Sequence, residues 1–251
     1  MRNGFLEGRS PYSARNGFVV DTLDDALKDV AWYKDHGYWQ IKLYNSMNPA
    51  WVAPIAERAH ALGMGVTGHI PAFTNADAMI AAGYDEITHI NQLMLGWVLS
   101  PEEDTRTPLR LTAMRRVAAL DLDAPQVRHT LALMRQRDIA LDTTEVIVER
   151  LMLSRAGSVL PADAPYLSHM PIAYRRYRQR TFVPDLDAQA DAQYRRALDK
   201  TLQLIGRLHR QGSVLLPGTD DTTGFTVHRE LELYVAAGLT PQQALRAGTW
   251  Q

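Results

Sequence analysis

Cysteine is absent from this sequence, and so is any long hydrophobic run. The lack of cysteine excludes disulfide bonds, zinc sites built from thiolates and a cysteine nucleophile. No apolar run approaches the 18 residues that indicate a transmembrane helix, so we expect no membrane partner. Acidic and basic residues nearly balance, 28 against 27, and this balance gives no reason to expect a nucleic-acid partner. Hydrophobic residues make up 46% of the 251, enough for the core of one large α/β domain.

A pattern of helix, glycine and short apolar strand recurs along the chain. Most of the helices end at a glycine, and most of the strands that follow end near a residue with an ionisable side chain. Alternating helices and strands are typical of a parallel sheet with helical crossovers. Five such units are visible, with strands predicted at 38–44, 65–70, 86–90, 139–144 and 214–220.

Two stretches, 96–123 and 150–184, interrupt the pattern and are rich in proline, arginine and aspartate. Long segments of this kind often build substrate pockets over the ends of strands. Five units are fewer than the eight of a closed (β/α)8 barrel. We therefore expect residues 1–251 to form one incomplete barrel, with strands missing before residue 20, both ends cut from a longer protein, and an unpaired strand on the N-terminal side.

Four ionisable residues stand at or beside the carboxyl ends of predicted strands. Taken singly, a lysine there is usually a salt-bridge partner, a histidine is usually hydrogen-bonded in place, and an aspartate often caps a turn. Together they converge on one face of a parallel sheet, where burial costs several kcal/mol unless the groups are paired or bound to a metal. A shared metal ion is the simplest partner for the set, which comprises Lys42, His69, His89 and Asp220.

The segments around these residues resemble the amidohydrolase superfamily, in the branch of imidazolonepropionase-like and prolidase-like hydrolases. The resemblance implies a (β/α)8 barrel, present here as about strands four to eight. It covers most of the chain and rests on the segments IKLYNS (41–46), AHALGMGVTGHIP (59–71), AGYDEITHIN (82–91), LLPGTD (215–220) and HRELELYVAAGLTPQQALRAGT (228–249).

The resemblance also implies a role for each of the four residues. Lys42 matches a carboxylated lysine that bridges two divalent metals, usually zinc. His69 and His89 match histidines that bind one metal, and Asp220 matches an aspartate that binds the other and acts as acid and base. The superfamily also has a His-x-His pair on its first strand. This sequence has none, which fits a missing N-terminal part and leaves the activity of this chain open.

Candidate substrate and supporting residues lie near these positions. Tyr44 and Asn91 stand two residues beyond Lys42 and His89, so strand alternation predicts that they point to the same face. Arg106 lies in a loop, where it would hold a substrate carboxylate or form a surface ion pair; both alternatives stay open. His228 opens a helix, either as a second layer behind a metal or as a capping residue.

These patterns predict a metal-dependent hydrolase of amide or cyclic amide C–N bonds, with dipeptides among its candidate substrates and one or two Zn²⁺ ions. The alternatives are a truncated barrel without activity, and a lyase that forms a Schiff base through Lys42. The expected partner is a small-molecule substrate, and an oligomer is compatible with the sequence. The first residues lack the apolar centre of a signal peptide, but with a missing native start both a cytoplasmic and an exported protein remain open.

Overall fold

A computed structural model describes residues 3–184, 186–221 and 223–249 of the chain. Within these ranges the chain alternates between short strands and helices, and every strand pairing is parallel. The prediction of a parallel α/β fold is therefore confirmed. The strands are β1 (Asn3–Gly8), β2 (Phe18–Val20), β3 (Gln40–Leu43), β4 (Gly65–Gly68), β5 (Glu86–Thr88), β6 (Ala140–Asp142) and β7 (Leu215–Leu216).

The strands form two sheets, with the orders β2-β1-β3-β4 and β5-β6-β7. The sheets approach each other at β4 and β5, where the Asp85 amide donates to the Val66 carbonyl over 2.9 Å. In the same place the hydroxyl groups of Thr67 and Thr88 lie 3.1 Å apart. Because all strands run in one direction, the carboxyl ends of β3 to β7 collect residues from distant parts of the sequence.

Helices cover the strands and begin at residues that the sequence marks clearly. The side chains of Thr22, Asn48, Asn75 and Asp187 each accept a hydrogen bond from a backbone amide in the first helical turn. The helices are α1 (Leu23–Asp35), α2 (Pro49–Ala61), α3 (Ala76–Ala81), α4 (Ile90–Leu95), α5 (Leu109–Thr112), α6 (Met114–Val117), α7 (Pro125–Gln136), α8 (Glu145–Leu153), α9 (Ala164–Leu167), α10 (Ile172–Arg178), α11 (Ala188–Arg210), α12 (Thr226–Ala236) and α13 (Pro241–Thr249). In the described part of the chain, no helix has the length and apolar character needed to cross a membrane.

Glycine turns the chain from helix to strand. Gly63 follows α2 with a φ of 66°, and Gly83 follows α3 with a φ of 106°. Glycine adopts these left-handed angles without the steric cost of a Cβ, so each turn returns the chain to the sheet within two or three residues. The apolar residues of the strands then lie fully buried against the helices, as Ile41, Val66 and Ile87 do.

The predicted count of five strands was wrong, because β1 and β2 were not recognised. β1 has the sequence NGFLEG, and glycine and glutamate are disfavoured in strands. Its Glu7 is nevertheless fully buried, since the backbone amides of Gly8, Ala14 and Ser46 donate hydrogen bonds to its carboxylate. β2 has three residues and pairs only with β1 among the described strands. β1 lacks the apolar pattern on which the prediction depended, and the apolar run of β2, FVV, is only three residues long.

Candidate active site

The strand-end cluster, which we define as Lys42, His69, His89 and Asp220, lies at the carboxyl ends of four parallel strands. His69 follows β4 and His89 follows β5, and their Nε2 atoms are 2.7 Å apart. The Asp220 carboxylate, in the loop after β7, lies 4.0 Å from Nε2 of His89. Lys42 is in β3, paired with a residue of β4 two positions before His69. The fold thus brings the four predicted residues to one face of the sheets.

Backbone strain is concentrated around this cluster. Five non-glycine residues of the described chain have positive φ angles, and four of them stand beyond the carboxyl ends of strands: Phe73 (67°), His89 (74°), Thr144 (44°) and Asp220 (47°). The fifth, Asp138, lies in the turn that precedes β6. Left-handed conformations in non-glycine residues cost about 1–3 kcal/mol each and are found most often at functional sites.

Each imidazole ring is held by a neighbour on its Nδ1 side. Asn45 Oδ1 contacts Nδ1 of His69, and because a carbonyl oxygen only accepts, His69 donates from Nδ1 and keeps a lone pair on Nε2. The Thr144 hydroxyl lies 2.7 Å from Nδ1 of His89 and can accept in the same way. If Thr144 accepts, two Nε2 lone pairs face each other, an arrangement that a cation between them would relieve; if Thr144 donates, Nε2 of His89 donates to Nε2 of His69.

Burial keeps both rings uncharged. His69 is 1% exposed and His89 is 7% exposed, and this burial lowers the pKa of both imidazoles well below 6.5. The positive charge of Lys42 lowers both pKa values further, and His89 adds to the effect on His69. Neutral imidazole is the form that binds a metal ion.

The charged members of the cluster are less enclosed. The Asp220 side chain is 57% exposed. Partial burial raises the pKa of its carboxyl group, while the positive charges of Lys42 and Arg110 oppose that shift. Lys42 is half-buried, and its ammonium group forms no hydrogen bond or ion pair with any residue that the structure describes. The site therefore contains an ammonium group, that of Lys42, and a carboxylate, that of Asp220, neither of which forms an ion pair with a described lysine, arginine, aspartate or glutamate.

A second carboxyl group, Asp142, lies at the same end of the sheets and was not selected from the sequence. It ends β6 and accepts a hydrogen bond of 3.1 Å from the Gly218 amide. Burial raises the pKa of Asp142 to about 7, Glu86 adds to the shift, and Lys42 opposes it. The signal that singled out the other residues, an ionisable side chain at a strand end, was also present here.

The donor chemistry of the cluster fits zinc, although the rings lie close together. Two imidazole nitrogens bound to one tetrahedral zinc, with bonds of about 2.0–2.1 Å, are separated by about 3.3 Å. The observed 2.7 Å requires the rings to move apart by about 0.6 Å. Within residues 3–184, 186–221 and 223–249, no three His, Asp or Glu side chains are already arranged around one point.

The predicted substrate residues have different surroundings. The Tyr44 ring lies 3.8 Å from the His69 ring, centroid to centroid, as expected for a residue beside the cluster. The argument from strand alternation was wrong for Asn91, because β5 ends at Thr88 and Asn91 belongs to α4. Asn91 is buried, 8% exposed.

Arg106 forms the local ion pair that was the alternative to binding a substrate. Its guanidinium donates two hydrogen bonds of 2.8 Å to Asp104 and packs over the rings of Phe73 and Tyr12. His228, for which a second layer behind a metal and a capping role were both left open, lies near the start of α12. It is exposed, its backbone amide donates a hydrogen bond of 3.2 Å to the Phe225 carbonyl, and its imidazole forms no hydrogen bond with any described residue.

Arg110, which the sequence did not single out, is the arginine that acts on the cluster. Its charge lowers the pKa of His69, His89 and Asp220. It lies at the start of α5, is exposed, and has no ion-pair partner within the described part of the chain. Arg106 and Arg110 are four residues apart, and sequence alone gives no reason to choose between them.

Comparisons with known proteins place this arrangement in a known type of fold. A bottromycin amidohydrolase is 20% identical with a TM-score of 0.64, over 98% of this chain and 53% of its own. An A. niger ochratoxinase is 16% identical with a TM-score of 0.56, over 93% and 43%. A Xaa-Pro dipeptidase is 14% identical with a TM-score of 0.54, over 96% and 50%.

The chain therefore has an amidohydrolase-type, prolidase-like fold and spans about half the length of the solved structures that it matches. No protein-family model matches the sequence, and no curated protein matches it significantly. At these identities the likeness concerns the fold, and the chemistry must be argued from the residues of the site.

Proposed function

We propose that this chain supplies much of the catalytic barrel of a metal-dependent hydrolase that cleaves amide or cyclic amide C–N bonds. The observation that carries the proposal is the pair of neutral imidazoles whose Nε2 atoms converge beside a free carboxylate and a free lysine. The ligands would be Lys42, His69, His89 and Asp220, holding one or two Zn²⁺ ions. An amidohydrolase and a dipeptidase among the similar structures favour amide bonds as the substrate class.

The parallel strands support a partial (β/α)8 barrel as the architecture. β1 to β7 are all parallel where they pair, and a backbone hydrogen bond joins β4 to the residue before β5. Helices cover the strands as in such a barrel. Since the matched structures are about twice as long, we assign the complete activity to the whole protein rather than to residues 1–251 alone.

Each residue of the cluster has a task that its surroundings support. A zinc ion held by these residues would supply a lower pKa to a water molecule and polarisation of the substrate carbonyl. His69 and His89 would offer Nε2 lone pairs, with Nδ1 of His69 donating to Asn45 and Nδ1 of His89 donating to the Thr144 hydroxyl. Lys42, once carboxylated, offers anionic oxygen in place of its ammonium charge.

Proton transfer falls to Asp220. Its side chain is 57% exposed, and no cation among the described residues forms an ion pair with its carboxylate. It accepts the proton released as water attacks the carbonyl, and it then donates that proton to the leaving nitrogen. Arg110 is placed to attract a substrate carboxylate, since its charge reaches the cluster and its guanidinium has no ion-pair partner among the described residues.

The test compares His69→Ala and His89→Ala with His129→Ala, a matched control at an exposed position on α7. We expect wild type and the control to retain zinc after gel filtration, measured by elemental analysis, and to hydrolyse members of a dipeptide panel. The two cluster variants should lose zinc and activity together, with partial recovery in excess zinc.

Wild-type protein that binds no zinc and hydrolyses no amide would contradict the proposal. Borohydride trapping of a carbonyl compound on Lys42 would instead favour a Schiff-base lyase. Absence of both reactions, in protein shown to be folded, would favour a barrel without activity.

A further inference from the structure

We infer that a cavity beside the strand-end cluster is a specificity pocket for a neutral substrate side chain that carries a hydrogen-bonding group such as a carboxamide. The inference rests on the proposed hydrolase function. The cavity, here called the side-chain pocket, has a volume of about 260 Å³. It lies between residues 70–75, which follow β4, and α4 with the loop at 96–105.

The pocket is lined by residues that follow His69 and His89 closely in the chain. Ile70, one wall, follows His69 directly in the chain, and Gln92, another wall, follows His89 by three residues. Both wall residues are buried, with 4% and 3% exposure. The pocket therefore adjoins the two segments that carry the imidazoles, and we expect it to receive a group attached close to a scissile amide there.

Two polar groups in the pocket have no partner in the protein. The Gln92 side-chain amide forms no hydrogen bond with any described residue, although the residue is 3% exposed. The Thr105 hydroxyl oxygen is also buried and has no hydrogen-bond partner. Buried polar groups in folded proteins are nearly always paired, so the unpaired Thr105 hydroxyl indicates a missing ligand or solvent, and the Gln92 amide in the same lining is free to bind the same group. Their placement next to the cluster favours a substrate group.

The remaining walls offer no free charge. Ile70, Leu95 and Leu99 make much of the lining apolar. Glu103 also lines the pocket, but Arg116 donates two hydrogen bonds of 2.7 Å to its carboxylate. A charged substrate group would lose its hydration here without gaining an ion pair, which disfavours binding.

Arg106 supports one wall of the pocket, the ring of Phe73. Phe73, at one side of the pocket, is half-exposed and has a strained φ of 67°. The Arg106 guanidinium packs over its ring at 5.1 Å and is itself fixed by Asp104. Arg106 thus braces a wall of the pocket and leaves Arg110 as the cation toward the cluster.

A carboxamide complements this lining. The Gln92 amide both donates and accepts, and the Thr105 hydroxyl does the same, so together they can pair with the oxygen and nitrogen of one primary amide. The expected substrate is an amide whose adjoining residue resembles glutamine or asparagine. Glutamate, of similar size but charged, should be rejected.

The experiment measures the binding of three probes to the protein by titration NMR: N-acetylglutamine amide, N-acetylnorleucine amide and N-acetylglutamate amide. We expect the glutamine probe to bind about 10-fold more tightly than either of the others, the scale of one or two satisfied hydrogen bonds. Gln92→Leu should reduce the difference between the glutamine and norleucine probes to within about twofold. Gln193→Leu, a partly exposed position on α11 outside this pocket, is the matched control and should keep the preference.

Two further variants keep the test decisive if Gln92→Leu does not fold. Thr105→Val removes the second polar group at nearly constant volume and should also weaken the preference. Leu99→Trp should fill the pocket and abolish binding of all three probes. Thermal unfolding of each variant confirms that it is folded.

Equal binding of the three probes to wild type, or an unchanged preference in folded Gln92→Leu and Thr105→Val, would overturn the inference. The outcomes separate it from the proposed function. Probe binding with the expected preference but no amide hydrolysis would support the pocket and contradict the hydrolase. Hydrolysis with a side-chain preference that these variants leave unchanged would support the hydrolase and contradict the pocket.

Discussion

Asp220 and Asp221 are neighbours in the chain but have opposite surroundings. The Asp220 side chain is 57% exposed, and its carboxylate lies 4.0 Å from the uncharged ring of His89. The Asp221 side chain is 3% exposed and is bound by both Arg150 and Arg178. Asp163 completes this buried ion-pair cluster by accepting from Arg150.

Of these two neighbours, Asp221 serves the stability of the fold, and Asp220 is left for the proposed chemistry. Arg150 and Arg178 come from α8 and α10, so the buried cluster ties the second irregular stretch to the loop after β7. The carboxylate of Asp221 is fully engaged in that task. The anchor holds the loop while the adjacent Asp220 keeps a strained backbone and a free carboxylate, which proton transfer requires.

The largest expected effect is the loss of stability in Asp221→Ala. Removing one partner leaves two buried guanidinium groups without their shared carboxylate, which typically costs about 3–5 kcal/mol. The matched control is Asp21→Ala, because Asp21 pairs with Arg9 at the surface, with both side chains more than half exposed. That variant should change stability by at most about 1 kcal/mol. Urea denaturation measures both, and equal effects would refute the contrast between buried and exposed pairs.

Glu230 sharpens the comparison, because it is a fully buried carboxyl group without a cation. It accepts hydrogen bonds from Thr143, Glu145 and Val146, yet burial raises its pKa from 4.5 to about 7. The folded state therefore keeps a proton that the unfolded chain releases above pH 4.5. Stability from this group is complete below pH 4.5, falls as the pH rises to about 7, and is then lost.

The expected change in unfolding free energy between pH 4.5 and 8 is up to about 3 kcal/mol from this residue. Chemical denaturation at several pH values measures it. Glu230→Gln cannot titrate, so its stability should depend less on pH than that of wild type, even if it is lower throughout. A pH dependence identical in wild type and Glu230→Gln would show that the group does not titrate in this range.

Asp220→Asn tests the chemical half of the comparison. The substitution keeps the size of the side chain but removes its basic oxygen, so turnover of a hydrolysed dipeptide should fall by at least about 10²-fold. Because this side chain is exposed, the unfolding free energy should stay within about 0.5 kcal/mol of wild type. Full zinc content with near-normal turnover would mean that another group, with Asp142 the nearest alternative, is the base.

The smallest expected effect distinguishes the two loop arginines. Arg110→Ala should raise KM for dipeptides with a free carboxylate by about 10-fold and leave kcat within about twofold, as expected for uniform binding. Dipeptide amides, which lack that carboxylate, should be hydrolysed equally by variant and wild type. Arg106→Ala is the matched comparison and should not discriminate between acids and amides. A selective effect of Arg106→Ala would reverse the assignment.

The sequence located the helices and most of the strand ends well. Asn48 with Pro49, and Thr22, marked helix starts that the structure confirms. β1 was missed because Glu7 is buried in a strand, where the backbone amides of residues 8, 14 and 46 donate hydrogen bonds to its carboxylate. Asn91 was misplaced because the chain turns from strand to helix immediately after a left-handed His89. Such a turn has no local sequence signal.

By itself, the sequence determined the alternation of helix, glycine and strand, and hence that ionisable residues far apart would meet at one end of parallel strands. Periodicity, caps and turns depend on neighbouring residues, so they can be read locally. Only the tertiary structure decided which arginine faces the cluster, that Asp221 is anchored while Asp220 is free, and that Gln92 and Thr105 line one cavity. Those outcomes depend on burial and on partners distant in sequence, and the same residue types are compatible with either result.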